Sequence, residues 1–230
     1  MMRTSITALF LVAGCAGTNT LTTAPSHTSS HEMSSPRNAV AEAEVAPAAA
    51  VPVATTTDAR KVGDFVVFRF TGSFRKTPLT LREQVVAREG NVLAIDYTFV
   101  EGKKATTFRV RADHGIGGKG EVFGFARMDG GSPTEATRDE FDAFMQKTVL
   151  ATDDNEETLD TTDGTITVGD QSFAAKTTTF RVRVGKNTAT MKLTQSDAFA
   201  WGADLAAEIV AKDGTLLYRA ELVEAGQASL

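Results

Sequence analysis

Residues 64–71 read Asp-Phe-Val-Val-Phe-Arg-Phe-Thr, and this stretch decides the fold class of the chain. Val66, Phe68 and Phe70 are spaced two residues apart, so an extended backbone places them on one face. Phe65, Val67 and Arg69, two apolar and one charged, then occupy the opposite face. This period of two is typical of a β-strand, and it returns along most of the chain that follows.

Further segments alternate in the same way and are separated by glycine-containing turns. Asp163-Gly164 and Asp213-Gly214 are two-residue signals of the kind that connects antiparallel strands. We therefore predict a mainly β fold of the α+β class, a curved antiparallel sheet or half barrel of roughly 9–11 strands. After the first strand, the segments predicted as strands are 78–88, 93–99, 108–112, 121–126, a pair flanking 163–164, 176–184, 189–193, 205–211 and 216–223.

One helix is predicted near residues 134–149, where the alternation stops. Ser132-Pro133-Thr134-Glu135 combines a capping hydroxyl, a proline for the first turn and an acid beside the positive helix end. The apolar residues that follow recur at helical spacing, which predicts a stripe that packs across the sheet. The alternative is that the stripe faces a partner. It consists of Phe141, Phe144, Met145, Thr148 and Val149.

The N-terminal residues have the form of an export signal. Arg3 precedes an apolar run that is too short to cross a bilayer, which requires about 20 apolar residues. The pentad Leu11-Val-Ala-Gly-Cys15 resembles the lipobox of bacterial lipoproteins. This resemblance implies that residues 1–14 are a signal peptide and that cleavage leaves Cys15 as an N-terminus carrying a diacylglycerol thioether.

Cys15 is the only cysteine of the chain, so no intramolecular disulfide can form. An odd cysteine in an exported protein needs an explanation, and lipidation supplies one. Ala16 follows it, where aspartate signals inner-membrane retention in the best-known sorting scheme, so the outer membrane is favoured over the inner one. The alternative is a soluble secreted protein with a free thiol beside its signal peptide.

Residues 15–60 are predicted to be the lipidated cysteine and a disordered linker, and residues 61–230 a β-rich folded domain. The linker is rich in Thr, Ser, Ala and Pro and has no aromatic residue. It therefore cannot bury enough apolar surface to offset its conformational entropy. His27 and His31 lie in this segment, without the further rigidly held ligands that a metal site requires.

No pattern in the folded region predicts an enzyme, a metal site or a cofactor. Gly115–Gly120 reads GIGGKG, but a strand is predicted after it, where a dinucleotide-binding loop requires a helix. His114 has no nucleophile pattern nearby, and the acidic run Asp153–Glu157 lacks the glycine and spacing of a calcium loop. The net charge of −5 argues against a nucleic-acid partner, which requires a basic surface.

Six arginines lie on predicted strands. On a shared face they would form a basic groove suited to acidic headgroups or carboxylates. The favoured interpretation is a solvent-exposed face on which the arginines pair with acids of neighbouring strands. The hexads Thr106–Arg111 and Thr178–Arg183 are identical but are interpreted as similar strands, not as a repeat. The six are Arg69, Arg109, Arg111, Arg181, Arg183 and Arg219.

The stretch Ser196–Gly226 combines a Phe-Ala-Trp-Gly corner with a hairpin. It resembles the end of uncharacterised bacterial envelope proteins. More distantly, residues 62–226 look like the half-barrel carriers of the LolA/LolB-like group, which implies a curled sheet that holds acyl chains against a helix. The residues expected to contact such a ligand are Trp201, Phe199, Phe68 and Phe70.

The expected function is that of an outer-membrane-type lipoprotein that binds a hydrophobic or lipid ligand on its curved sheet. The alternative is a structural or protein-interaction lipoprotein with a filled core, no ligand and an envelope protein as partner. In both cases the lipid anchor contacts the membrane. A continuous apolar cavity of several hundred cubic ångströms favours the first function, and a packed interior favours the second.

Overall fold

The computed structural model describes residues 60–113, 121–153, 155–169, 171–199, 201 and 204–228. The predicted signal peptide, Cys15 and the predicted linker up to residue 59, with its two histidines, lie outside the described residues, as do His114 and the GIGGKG loop. Within the described residues, eleven strands form one curved, unclosed antiparallel sheet with one short α-helix. The predicted fold class and number of strands are confirmed.

Strands and helices are numbered in chain order, and every pair of neighbouring strands is antiparallel. The elements are β1 (Asp64–Thr71), β2 (Leu79–Glu89), β3 (Val92–Glu101), β4 (Lys104–Asp113), β5 (Glu121–Asp129), β6 (Ser132–Glu135), α1 (Arg138–Met145), a 3₁₀ turn (Gln146–Thr148), β7 (Asn155–Val168), β8 (Gln171–Val184), β9 (Asn187–Gln195), β10 (Asp204–Ala211) and β11 (Leu216–Gln227).

The first and last strands meet in the middle of the sheet. The spatial order is β6-β5-β4-β3-β2-β1-β11-β10-β9-β8-β7, so two meanders are joined by the pairing of β1 with β11. Across this β1–β11 seam, Phe68 lies opposite Leu222 and Arg69 opposite Glu221. Arg69 Nε donates a 2.7 Å hydrogen bond to the Glu221 carboxylate. The sheet is continuous only because these distant strands pair.

The inner face of the sheet carries the core, and α1 covers part of it. Phe141 and Phe144 of α1 pack against this core, with ring centres 5.9 Å and 5.0 Å from that of Phe108 on β4. Thr148 is buried, and its carbonyl oxygen accepts a 2.8 Å hydrogen bond from the Tyr218 hydroxyl. The predicted apolar stripe therefore packs across the sheet, as expected from its spacing.

The predicted helix start was wrong, because Ser132–Glu135 forms strand β6 at the edge of the sheet. Pro133 is tolerated there because a proline on an edge strand can turn its missing N–H away from the neighbouring strand. The helix begins at Arg138 after the cap residue Thr137. Thr137 Oγ1 accepts a hydrogen bond from the Glu140 amide, and the Glu140 carboxylate accepts one from the Thr137 amide. This reciprocal capping box fixes the start.

The predicted turn at Asp163-Gly164 was also wrong. Both residues lie inside β7, opposite Lys176 and Ala175 of β8. The hairpin turns instead after Val168, where Gly169 has a φ of +62°. The longer hairpin allows Val168 and Phe173 to be buried at its end, each with 3% exposure. Burial of these two side chains outweighs the local turn preference of an Asp-Gly pair.

Replacing Gly72 by Ala is expected to lower the free energy of unfolding by about 2–4 kcal/mol. Gly72 ends β1 with a φ of +121°, and a Cβ there would lie 2.4 Å from the Leu217 carbonyl oxygen across the seam. Gly102→Ala is the matched control, since Gly102 has a φ of +61° but no atom within 4 Å of its Cβ position. Urea unfolding should show a loss of only about 1 kcal/mol for the control. If the two variants lose equal free energy of unfolding, the close approach of the Gly72 and Leu217 backbones is contradicted.

Candidate functional site

Glu83 is a charged residue on the apolar face of the sheet. Leu79, Leu81, Glu83 and Val85 of β2 share one face because of the two-residue period, and all four are buried. Glu83 is only 3% exposed, and its Oε2 atom has no hydrogen-bond partner among the described residues. A buried carboxyl oxygen without a partner costs free energy. Such a group is therefore a candidate functional site.

Strand register places Glu83 in a row across the inner face. It lies opposite Val66 on β1 and Tyr97 on β3, and Tyr97 lies opposite Phe108 on β4. The ring of Phe141 from α1 meets the Tyr97 ring edge-on, with 5.1 Å between their centres. The glutamate thus lies between the central strand and the aromatic side chains that hold the helix.

Arg60 supplies a positive charge that attracts this carboxyl group. Its side chain is buried, with the guanidinium 4.7 Å from the centre of the Trp201 ring and Nη2 donating to the Trp201 carbonyl oxygen at 3.4 Å. Arg88 Nη1 donates to the main-chain oxygen of Arg60 at 3.2 Å, so both ends of Arg60 are held. We call Glu83, Arg60, Tyr97 and Trp201 the Glu83 cluster.

The Glu83 cluster contains one group that exchanges a proton near neutral pH. Burial raises the pKa of Glu83 to about 7, although the positive charge of Arg60 pulls this pKa down. Burial and the charge of Glu83 also raise the pKa of the Tyr97 hydroxyl, which stays protonated at neutral pH. The cluster can therefore hold or release a proton at Glu83, but the 3% exposure of this residue keeps a substrate from reaching it.

Sequence reasoning misses Glu83, although a signal for it is present. The residue occupies an inward position of β2, where it interrupts a series formed by Leu79, Leu81 and Val85. Arg60 gives no comparable signal. It precedes β1, and its contact residue Trp201 lies 141 residues away in the sequence.

The four residues predicted to contact a hydrophobic ligand are all buried in the core. Phe68 and Phe70 lie on the inner face of β1, with ring centres 6.5 Å apart. Phe199 meets Phe173 edge-on at 5.3 Å, and Trp201 lies beside the Arg60 guanidinium. The structure brings the four into one apolar core, where neighbouring side chains of the protein cover them.

The outer face of the sheet is largely polar, and five of the six arginines predicted to lie on it are paired with acids, as expected for a solvated face. These pairs neutralise the charge that a basic groove would need, so they favour a solvent-exposed face. Surface pairs of this kind contribute about 0–1 kcal/mol each. They are Arg69–Glu221, Arg109–Asp96, Arg111–Glu89, Arg181–Glu157 and Arg219–Glu208.

A shallow groove with a volume of about 210 Å³ lies on this outer face, over strands β8 to β11. It is smaller than ordinary ligand pockets, which measure about 300–1,000 Å³. Its walls are polar or small side chains, and the paired Arg219 and Glu208 are among them. The lining includes Thr177, Lys192, Thr194, Ala206 and Glu221.

Among the described residues, no group of three or more His, Cys, Asp or Glu side chains is arranged to hold a metal ion. In the same part of the chain, no helix combines the length and the apolar character needed to traverse a bilayer. Cys15, the predicted lipidation site, lies outside the described residues.

Three solved structures resemble this chain, each with a low TM-score. The hypothetical protein CT021 from Chlamydia trachomatis has a TM-score of 0.41 at 9% identity, with 74% of this chain and 89% of that chain covered. MucB has a TM-score of 0.36 at 13% identity, with 73% and 54% covered. A protein with a YmcC-like fold, BF2203 from Bacteroides fragilis, has a TM-score of 0.36 at 11% identity, with 74% and 98% covered. No protein-family model and no curated protein matches the chain.

Replacing Glu83 by Gln is expected to flatten the pH dependence of stability. The unfolded chain releases this proton near the ordinary pKa of 4.5, whereas the native protein keeps it until about pH 7. The resulting stabilisation is present below pH 4.5 and is lost as the pH rises to about 7, in total on the order of 3 kcal/mol. Urea unfolding between about pH 4 and pH 8 measures this loss.

The exposed Glu224 on β11 provides the control, because Glu224→Gln should leave the pH profile of the wild-type chain unchanged. If the free energy of unfolding of the wild-type protein stays level between about pH 4.5 and 7, the raised pKa assigned to Glu83 is contradicted. A Glu83→Gln variant whose free energy of unfolding depends on pH as steeply as that of the wild type would contradict it as well.

Proposed function

We propose that this chain is a lipoprotein of the bacterial cell envelope, at the outer membrane in preference to the inner one, whose β domain binds another protein. The anchor is supported by the short apolar signal, the lipobox-like pentad that ends at Cys15 and the absence of any other cysteine. Several acyl chains on one residue give durable attachment, because each buried methylene contributes about 0.8 kcal/mol.

The observation that carries the interaction role is that the inner-face side chains which the structure describes are buried against one another. A lipid carrier needs apolar surface that stays open to an acyl chain. In this protein, Phe141 and Phe144 of α1 lie against Phe108, and the loop before β10 brings Phe199 and Trp201 into the same core. The surface that a lipid would use is covered by the protein's own rings.

We also propose that the domain is not an enzyme. Glu83 is the carboxyl group of the described residues whose pKa is raised to about 7. A catalytic acid or base must approach its substrate to within about 3 Å. Glu83 is buried instead between Val66 and Tyr97, and neither neighbour is a nucleophile activated for catalysis.

A lipid carrier is the second candidate, because the sheet is curved and unclosed and its inner face is apolar. Native mass spectrometry separates the two functions. The full chain with Cys15→Ala is exported and purified without detergent, and the interaction role predicts the mass of the protein alone. A co-purifying lipid mass, together with uptake of a fluorescent fatty acid, would reverse the order of the two candidates.

Cys15→Ala is expected to abolish incorporation of an alkyne-tagged fatty acid, because the chain contains no other thiol. The wild-type protein should be labelled and sediment with the outer membrane, whereas the variant should be unlabelled and released from the membrane fraction. Ala16→Asp is the matched control: it should keep the label and move to the inner-membrane fraction. A wild-type chain that takes up no label would refute the anchor.

A further inference from the structure

The two edges of the sheet are built differently. β6 has four residues and contains Pro133, and short length and proline are devices by which proteins block an edge strand. β7 has fourteen residues and contains no proline, lysine or arginine. Of the described strands, β7 is hydrogen-bonded to β8 alone. Alternate backbone N–H and C=O groups of β7 therefore point away from the sheet.

The edge of β7 is both exposed and regular. Every residue from 157 to 165 is exposed, including Leu159 at 44%. The register shifts between β7 and β8 fall before Asp160, and pairing is uninterrupted from Asp160 to Val168. Because no bulge turns this stretch aside, its exposed part from Asp160 to Thr165 can accept a further strand.

Side chains on β7 indicate what kind of strand fits. Its threonines favour β-branched neighbours in cross-strand pairs. Asn155–Val168 contains four acidic residues and no basic one, and Asp160 and Asp163 lie in the regular stretch. A strand that carries two basic residues three positions apart would place one basic side chain opposite each of these two aspartates. A second copy of β7 would bring more acids to an acidic edge, which opposes self-pairing.

We propose that the β7 edge from Asp160 to Thr165 docks an extended segment of a second protein, which joins the sheet as a further strand and carries two basic residues three positions apart. This inference rests on the proposed interaction role and gives it a surface and a partner chemistry. Backbone hydrogen bonds supply most of the affinity, and the two aspartates discriminate between partners by charge.

The test uses the full chain with Cys15→Ala and two fluorescent nine-residue peptides. In antiparallel pairing, TVTVTKVTK places its lysines opposite Asp163 and Asp160, and TVTVTEVTE places glutamates there. By fluorescence anisotropy, the lysine peptide should bind about tenfold more tightly than the glutamate peptide. Hydrogen exchange should show the slowed amides within Asp160–Thr165.

Charge reversal at the two aspartates provides the decisive comparison. Asp160→Lys combined with Asp163→Lys should invert the preference, so that the glutamate peptide binds more tightly. The matched control combines Asp139→Lys with Asp142→Lys on the exposed face of α1, which changes the net charge equally and should keep the wild-type preference. All four positions are exposed, and urea unfolding verifies that each variant is folded.

Equal affinity for the two peptides, an unaltered preference in the β7 variant, or slowed exchange on another strand would overturn the proposal. A dimer in sedimentation that the β7 variant abolishes would replace the proposed partner by a second copy of this chain. Acylation of Cys15 is measured separately. If the wild-type chain is acylated but the Cys15→Ala chain binds neither peptide, the β7 edge alone is rejected. If the Cys15→Ala chain binds the lysine peptide but the wild-type chain is not acylated, the anchor alone is rejected.

Discussion

The pairing of β1 with β11 is the constraint on which the rest of the structure depends. Each meander forms from strands that are adjacent in sequence, but Arg69 and Glu221, which meet across the seam, are 152 residues apart. Backbone groups close both ends of the seam: a Cβ on Gly63 would lie 2.5 Å from the Ala228 carbonyl oxygen, and Gly72 is confined in the same way. The entropy lost in joining such distant strands is offset only by the core that the two meanders then share.

The position of the buried Glu83 carboxyl group follows from the β1–β11 seam. Val66, on the inner face of β1, has Glu83 beside it on β2, so the carboxyl group lies one strand away from the seam. Arg60 reaches the cluster because the chain enters at the same place, where the Ala228 amide donates a 2.8 Å hydrogen bond to the Gly63 carbonyl oxygen. The part of the chain that the structure describes therefore begins beside the central strand, which is paired on both sides.

Alternation in the sequence predicts the strands well because the inner face is apolar and the outer face is polar along most of them. It fails where pairing overrides a local signal. Asp163-Gly164 stays extended since β8 continues opposite it, and Ser132–Glu135 becomes a strand since β5 offers it an edge. Glu83 was predictable from its inward position on β2, whereas Arg60 was not, because no local pattern records which distant residues the seam brings together.

Because β7 lacks the features that block the β6 edge, its acidic residues have two roles: they oppose pairing with a second copy and they attract a basic strand. A long, regular edge exposes the protein to association with its own copies. Asp160 and Asp163 of β7 oppose that association, because each copy presents the same charges. The same charges attract a basic strand, and specificity is a difference between the affinities of a right and a wrong partner. The edge therefore needs neither a proline nor a bulge within Asp160–Thr165 to discriminate between its own copies and a basic strand.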